Sequence, residues 1–343
     1  MRLYAFITGI FLMGALWGQE DSFVRHARPD NDQDSAFLRC YGKYFIPSLY
    51  TIRHFSSFSI RDNQLKKQIT YDPNITLGVG LCVSYSWIGL AGSMAFRFLN
   101  NDEALYGKTE KIDFYTNLYS KRFLYDLNFQ YYKGYYVSNP QVINPSWTKG
   151  MPYPYRPDIQ TITLGYAMYY SFNYKHFSLK APYNYCDEQL RSAGSWIVGV
   201  FFSGYAMAAT DSVIVPSYVE FNDSSRMRVL FSLDMGLSGG YAYTWVIKKH
   251  WFISGMLLPG LSFQHYKGYT NQYEIRYAGL SLKSQTRLAI GYSKPRFYFG
   301  WVIVFDAFNL HSTSLSTYKY KSGYTCFTIG TRIYPHRKHN KTD

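Results

Sequence analysis

The chain has 343 residues, 20% of them aromatic with 36 tyrosines, 17% charged, and a formal net charge of +14. Beyond the first 18 positions no run of about 20 apolar residues occurs, which excludes a protein that crosses a membrane with helices. The basic residues are spread along the chain and form no basic and aromatic stripe, which points away from nucleic acid as a partner.

Taken in chain order, Met1-Arg2 is followed by apolar sequence from Leu3 to Trp17 and then by Gly18-Gln19-Glu20. This reads as a signal peptide over 1–18, cleaved after Gly18, although Leu16 is a poor residue for the minus-three position. No cysteine follows the apolar run immediately, so a lipoprotein is not expected. Residues 19–47, with Arg28-Pro29-Asp30-Asn31-Asp32, read as a polar periplasmic leader.

From residue 48 the chain alternates with period two, the pattern of a strand that sends successive side chains to opposite faces. A leading strand is expected within 48–61. Over 75–86, Ile75, Leu77, Val79, Leu81, Val83 and Tyr85 oppose Thr76, Gly78, Gly80, Cys82, Ser84 and Ser86. Further strands are predicted over 88–99, 110–120, 122–134, 160–173, 175–184, 194–207, 229–247, 250–266, 276–292, 296–308 and 322–334. Tight turns are placed near Trp87, Lys121, Tyr174, Lys249 and Lys294. Antiparallel strands joined by such turns must come in pairs at the other end, so a short strand at Val213-Ile214-Val215 is added, giving about 12 to 14 with the upper value favoured. The barrel is thus assigned to 48–334 and a basic tail to 335–343.

A closed sheet of more than about ten strands has a lumen too wide to be packed dry by side chains alone. Its large apolar face must then point outward, which is stable in lipid and not in water. The expectation is an all-β, transmembrane, antiparallel up-and-down β-barrel in an outer membrane, with Tyr243, Trp245, Trp251, Tyr292 and Phe297 in interfacial girdles. Its expected partners are outer-membrane lipid, the phosphates of lipopolysaccharide beside basic loops, and the machinery that inserts barrels, which would read the last strand, Phe327 to Tyr334. A monomer is expected.

Tyr106-Gly107-Lys108-Thr109 running into Ile112-Asp113-Phe114, Lys121-Arg122-Phe123, and Tyr131-Tyr132-Lys133-Gly134-Tyr135-Tyr136 occur in an order that is shared elsewhere. With Ser192-Ala193-Gly194-Ser195 and Gly239-Gly240-Tyr241-Ala242-Tyr243-Thr244 they resemble the outer-membrane β-barrel family classed as domain of unknown function 4421, over about 45–334. The resemblance implies a barrel in the outer membrane of a Gram-negative bacterium and assigns no catalytic residue.

Alternation sends Arg97, Asp113, Asp126, Asp234, Lys283, Arg287, Asp306 and Arg332 into the lumen, where they either line a solute path or neutralise one another in a plugging network. His176 and Ser178, both placed inward beside the Tyr174 turn, are the nearest approach to a lipid-hydrolysing pair. Residues two apart on one face lie about 7 Å apart, beyond a hydrogen bond, and a turn histidine in solvent is the plainer reading. The connection from Gly134 to Asp158 carries Trp147, Tyr153 and Tyr155 among prolines, as a pore constriction, a glycan-binding or adhesive platform, or a cap on the rim. Cys40, Cys82, Cys186 and Cys326 lack metal-ligand spacing, and no cofactor or metal is expected. Cys40 in the leader and Cys186 at the far end of its strand would have to bridge the membrane thickness, so no disulfide is expected between them, while Cys82 and Cys326 face inward. The most economical function is a non-enzymatic barrel for passive solute passage or structure, with a lipid-modifying enzyme or an adhesin as the alternatives.

Overall fold

The computed structural model describes residues 23–335 apart from 25, 30–31, 86–87, 96–101, 211–212 and 313–314. The signal segment 1–18, Arg97 and the tail from 336 lie outside the described residues. The chain forms one large antiparallel sheet of 13 strands and a separate two-stranded sheet. Ten strands close on themselves: β2 (Phe45–Asp62), β3 (Gln68–Asp72), β7 (Phe123–Val137), β8 (Tyr155–Ser171), β10 (Ala193–Ala209), β11 (Val229–Ile247), β12 (Trp251–Tyr269), β13 (Glu274–Ser293), β14 (Phe297–Ser312) and β15 (Ser316–Thr331). The ladder between β15 and β2, from Ser316↔Asp62 to Gly330↔Ser48, makes the closure. β4 (Gly78–Tyr85) continues along β2 below β3, β5 (Ile88–Ala95) pairs with β4, and β6 (Glu110–Tyr119) pairs with β7. Closure satisfies backbone donors and acceptors where no water is available to do so.

The expected strands are found with three corrections, and the closed circuit holds ten strands where about 12 to 14 were expected, because β4, β5 and β6 pair outside it. Residues 175–184 form a turn and a short helix, Lys180–Tyr183, and Val213-Ile214-Val215 is a buried loop segment. Removing both strands leaves the parity intact, so the odd strand that seemed to need a partner did not exist. The strand expected from residue 75 is also divided. Pro73 has no N–H to give to a ladder, and Asn74 turns aside, its N–H donating to Thr109 Oγ1 at 2.8 Å and its side chain to the Gly107 carbonyl at 2.9 Å. The faces exchange there: Ile75 is buried inside, whereas Leu77, Leu81 and Val83 are exposed outside.

On the long strands the large apolar residues face out, as in β11, where Leu233, Met235 and Leu237 are exposed while Ser232 and Asp234 are buried. Aromatic rings gather at one end of this belt, with Tyr243 beside Trp245 (4.6 Å between centroids), Trp251 beside Tyr292 (5.2 Å) and Phe123 beside Tyr170 (5.3 Å). That end, the lower one here, carries the tight turns 120–122, 248–250 and 294–296 and both termini of the sheet. Two connections fold back into the barrel mouths. Residues 210–228 enter the upper mouth, and residues 172–192 meet the leader at the lower one, where β1 (Leu38–Cys40) pairs with β9 (Asp187–Gln189).

Leu237, 68% exposed midway along β11, tests which solvent the outer face meets. Leu237→Arg is expected to destabilise the barrel in lipid vesicles by about 2–4 kcal/mol, measured by urea unfolding. A cost equal to that of Leu237→Gln in detergent and in lipid would contradict a lipid-facing position.

Candidate functional site

The interior has three layers, and all the inward charges of the middle one arise from alternation on strands whose outer face is apolar. Arg287 on β13 is 0% exposed and forms an ion pair with Asp126 on β7, across the lumen. Its Nη1 donates to the Tyr119 hydroxyl at 3.0 Å, and its guanidinium lies 5.7 Å from the Tyr183 ring. Asp126 also accepts from Asn117 Nδ2 at 2.5 Å and Gln285 Nε2 at 3.4 Å. A buried charge is tolerable only when a counter-charge and hydrogen bonds are supplied, and here three strands, β6, β7 and β13, supply them to all of the pair but Arg287 Nε.

The other predicted lumen residues divide. Asp113 on β6 accepts from the Tyr132 hydroxyl at 2.5 Å and Gln130 Nε2 at 3.1 Å, with Lys111 Nζ at 3.4 Å. Asp234 has no cationic partner within ion-pair distance among the described residues and is held by Ser232 (2.9 Å), Ser262 (3.3 Å) and Gln264 (3.0 Å). Lys283 places its ammonium between the rings of Phe201 and Phe308, 4.3 and 4.5 Å from their centroids, an arrangement in which ring faces stabilise the cation. Asp306 and Lys283 line a common cavity of about 20 Å³ with Asp126, Gln285 and Ser203, room for about one water molecule. Arg332 points inward but belongs to the lower plug and takes no part in the central network: it donates to the Tyr185 carbonyl at 2.8 Å and the Lys294 carbonyl at 2.6 Å, and lies over the Tyr41 ring at 4.1 Å.

Above this layer the connection 210–228 closes the mouth. Ile214 and Val215 are buried against Tyr71, Tyr135, Val137 and Ile159. Arg156, itself paired with Asp158 at 2.7 Å, donates to the carbonyls of Val213 (3.1 Å) and Ile214 (2.9 Å), and the Tyr71 hydroxyl reaches the Ile214 carbonyl at 2.6 Å. Arg156 was not singled out from sequence because it lies among loop prolines; a cation followed two residues later by an acid was its only signal. Below, Arg39 pairs with Glu188 at 2.9 Å, and the Tyr41 hydroxyl donates to the same carboxylate at 2.6 Å. Burial, then the adjacent Glu188 carboxylate, raise the Tyr41 hydroxyl well above its ordinary value and keep it a donor.

His176 and Ser178 are not brought together. His176 Nδ1 meets Asn173 Oδ1 at 3.0 Å and its Nε2 lies 3.6 Å from Asp34, whereas the Ser178 hydroxyl donates to Asp187 at 2.6 Å. Nor is Cys186 across the membrane from Cys40: Tyr41 N–H donates to the Cys186 carbonyl at 2.8 Å, and Cys40 is opposite Asp187 in the two-stranded sheet. The two thiols nevertheless stay apart, because consecutive residues of a strand face opposite ways, and no disulfide joins any of the four cysteines among the described residues. Burial pushes the Cys186 thiol up to about 12. The loop aromatics pack on their own surroundings: Tyr153 contacts Trp147 (4.7 Å), Tyr106 (4.8 Å) and Tyr136 (5.4 Å), and the Tyr155 ring covers Gly107, whose positive φ of 74° and lack of Cβ allow the contact.

Two expected outcomes follow from this geometry. Asp126→Asn leaves Arg287 buried without its counter-charge and should cost about 3–5 kcal/mol in urea unfolding, with Asp126→Asn/Arg287→Met recovering much of it. A single-variant cost under about 1 kcal/mol would show the pair to be idle. In the folded barrel Cys40 should react with a maleimide at neutral pH well before Cys186 does, and equal rates would mean that the lower plug is open.

None of the curated proteins matches the sequence. Among solved structures the chain is similar to the outer membrane protease OmpT from Escherichia coli, at 9% identity and a TM-score of 0.35 over 86% of this chain and 98% of that one. It is similar to the P. putida toluene transporter TodX at 6% identity and a TM-score of 0.22, over 86% and 91%. The outer membrane protein OprG from Pseudomonas aeruginosa gives 9% identity and a TM-score of 0.21, over 89% and 99%. Likeness of this degree carries no argument about activity. The sequence match is of another order: a family model described as "Domain of unknown function (DUF4421)" fits residues 32–332, and the chain therefore belongs to that family of outer-membrane-type β-barrels.

Proposed function

We propose that this protein is a sealed, non-conducting and non-enzymatic outer-membrane barrel whose interior is structural. The observation that carries the reading is the double plug: the loop 210–228 fills the upper mouth and the leader with residues 172–192 fills the lower one. Between them, Asp126 and Arg287 neutralise each other, and the cavity beside them measures about 20 Å³. A solute path needs charges that stay hydrated and exchange partners, whereas these are tied to fixed hydrogen-bond partners from several strands.

Against an enzyme stands the separation of the one His and Ser pair, since a nucleophile needs its base within hydrogen-bond reach. Against an adhesive platform stands the packing of Tyr106, Tyr136, Trp147 and Tyr153 on one another, with Tyr106 and Tyr153 stacked and the other contacts tilted, which uses part of the ring surface a glycan would need.

Refolded full-length protein should be silent in a planar bilayer, and a variant with residues 213–221 replaced by a short Gly-Ser link should show discrete steps. Stable ohmic steps from the full chain would overturn the sealed reading. Acyl-chain release from phospholipid or lipopolysaccharide that disappears in Ser178→Ala would overturn the non-enzymatic one.

A further inference from the structure

The outward face of β14 is apolar up to a definite level, and those of β2 and β15 are mainly so, with Thr51 and Arg53 on β2 and Thr325 and Gly323 on β15 interrupting them. On β14 the outward residues are Phe297, Phe299, Trp301, Ile303 and Phe305, and on β2 the belt runs from Phe45 to Phe55, whose ring lies 6.0 Å from that of Phe305. Ten residue steps of about 3.3 Å, tilted by about 40°, climb about 25 Å, the height of a lipid-facing band.

Directly above this level the same outer face turns basic. Lys321 is opposite Ser57, Lys319 opposite Ser59, and Thr317 opposite Arg61 in the closing ladder. All are odd-numbered positions on the outward side, and Lys319, Lys321 and Arg61 are exposed. Successive cations along this ladder are about 7 Å apart, near enough for two to hold one phosphate. Arg53, also outward and exposed, is opposite Thr325 just below and can extend its guanidinium upward. One carboxylate, Asp72, stands on the far side of Ser57 across β2 and β3, so the ridge keeps a net positive charge.

Several other cations at this end have acidic partners, although Lys66, Lys149 and Lys267 stand singly and form no comparable row. Arg276 pairs with Glu274 at 2.5 Å, Lys108 with Glu110 at 4.0 Å, and Lys67 with Glu220. Among the described residues none of Arg53, Arg61, Lys319 and Lys321 has a carboxylate within ion-pair distance. The ridge also lies on the side wall and not on a loop tip, so whatever neutralises it lies in the membrane plane with its acyl part against Phe55, Phe305 and Trp301. The loop-rich end is the extracellular one, and the outer leaflet there is built of phosphorylated glycolipid.

We propose that the ridge of Arg61, Lys319 and Lys321, with Arg53 beneath, is a binding site for the phosphorylated glucosamine headgroup of outer-leaflet lipopolysaccharide. The site is independent of whether the lumen conducts. It holds the closing seam of the barrel, where the first and last strands of the circuit meet, against a lipid of low mobility.

The test is binding of fluorescent bisphosphorylated lipid A to the purified full-length barrel in detergent. The triple variant Arg61→Gln/Lys319→Gln/Lys321→Gln, checked for folding by heat-modifiable mobility, should bind at least about tenfold more weakly and lose most of the salt dependence. Arg276→Gln should bind as the parent does, and lipid A stripped of both phosphates should bind the parent no better than the triple variant binds intact lipid A. Unchanged binding by the folded triple variant would overturn the site. Equal affinity for phosphatidylglycerol would overturn the glycolipid assignment. If the triple variant does not fold, Lys321→Gln alone must weaken binding by at least about threefold, and its failure to do so would overturn the proposal.

Discussion

The pairing of Arg287 with Asp126 is the interaction on which the interior depends. A barrel wall that is apolar outside has only its inner face for polar side chains, and a guanidinium sealed there is stable only with an anion and several acceptors in place. Satisfying it recruits Tyr119, Asn117 and Gln285 from β6 and β13, and through Asn117 the Tyr324 hydroxyl of β15 at 3.1 Å. The closing strand is thereby tied to the network. Among the described residues, Arg287 Nε and Gln285 Oε1 alone of its buried polar atoms stay without a partner, and a network held from several strands in this way is a support between walls.

The plugs extend the same logic to the mouths. A closed sheet of this width leaves space that its own inward side chains do not fill, and the chain fills it with its connections. At the upper mouth apolar residues of the 210–228 loop are carried inward while their carbonyls are met by Arg156 and Tyr71. At the lower mouth the buried acid Glu188 is met by Arg39 and Tyr41. In both cases an irregular segment enters the barrel only because side chains from the wall or the leader satisfy the backbone and charge it brings.

Most of the wall was legible in the sequence, because a two-faced strand in lipid writes its environment directly as alternation. Leu77 to Tyr85 and Phe231 to Ile247 show it. The plugs were not legible, since a buried loop and a buried strand carry the same short apolar runs: Val213-Ile214-Val215 is as good a strand by composition as by burial. Residues 175–184 misled for the same reason. The charged residues of the lumen were found by their side of the strand, but which would pair depends on distances across the barrel that spacing along one strand does not encode. The glycines of the family motifs were visible as a pattern, and only the structure gives their cause. A Cβ at Gly240 would lie 1.9 Å from the Leu257 carbonyl, and one at Gly134 2.4 Å from the Lys108 carbonyl, so these motifs record close approaches between strands and not chemistry.

The small sheet between β1 and β9 makes the stopper of the lower mouth a joint product of both ends of the sheet and of the connection between β8 and β10. Leu38 pairs with Gln189, and Arg332 at the end of the last strand grips Tyr185 of the same connection. The leader's partner strand lies about 150 residues downstream, and the clamp on the same connection follows the closing strand, so three distant segments meet at the lower mouth. That mouth is stoppered by the finished barrel as a whole, and losing any one of the three segments takes away a partner that holds the other two there.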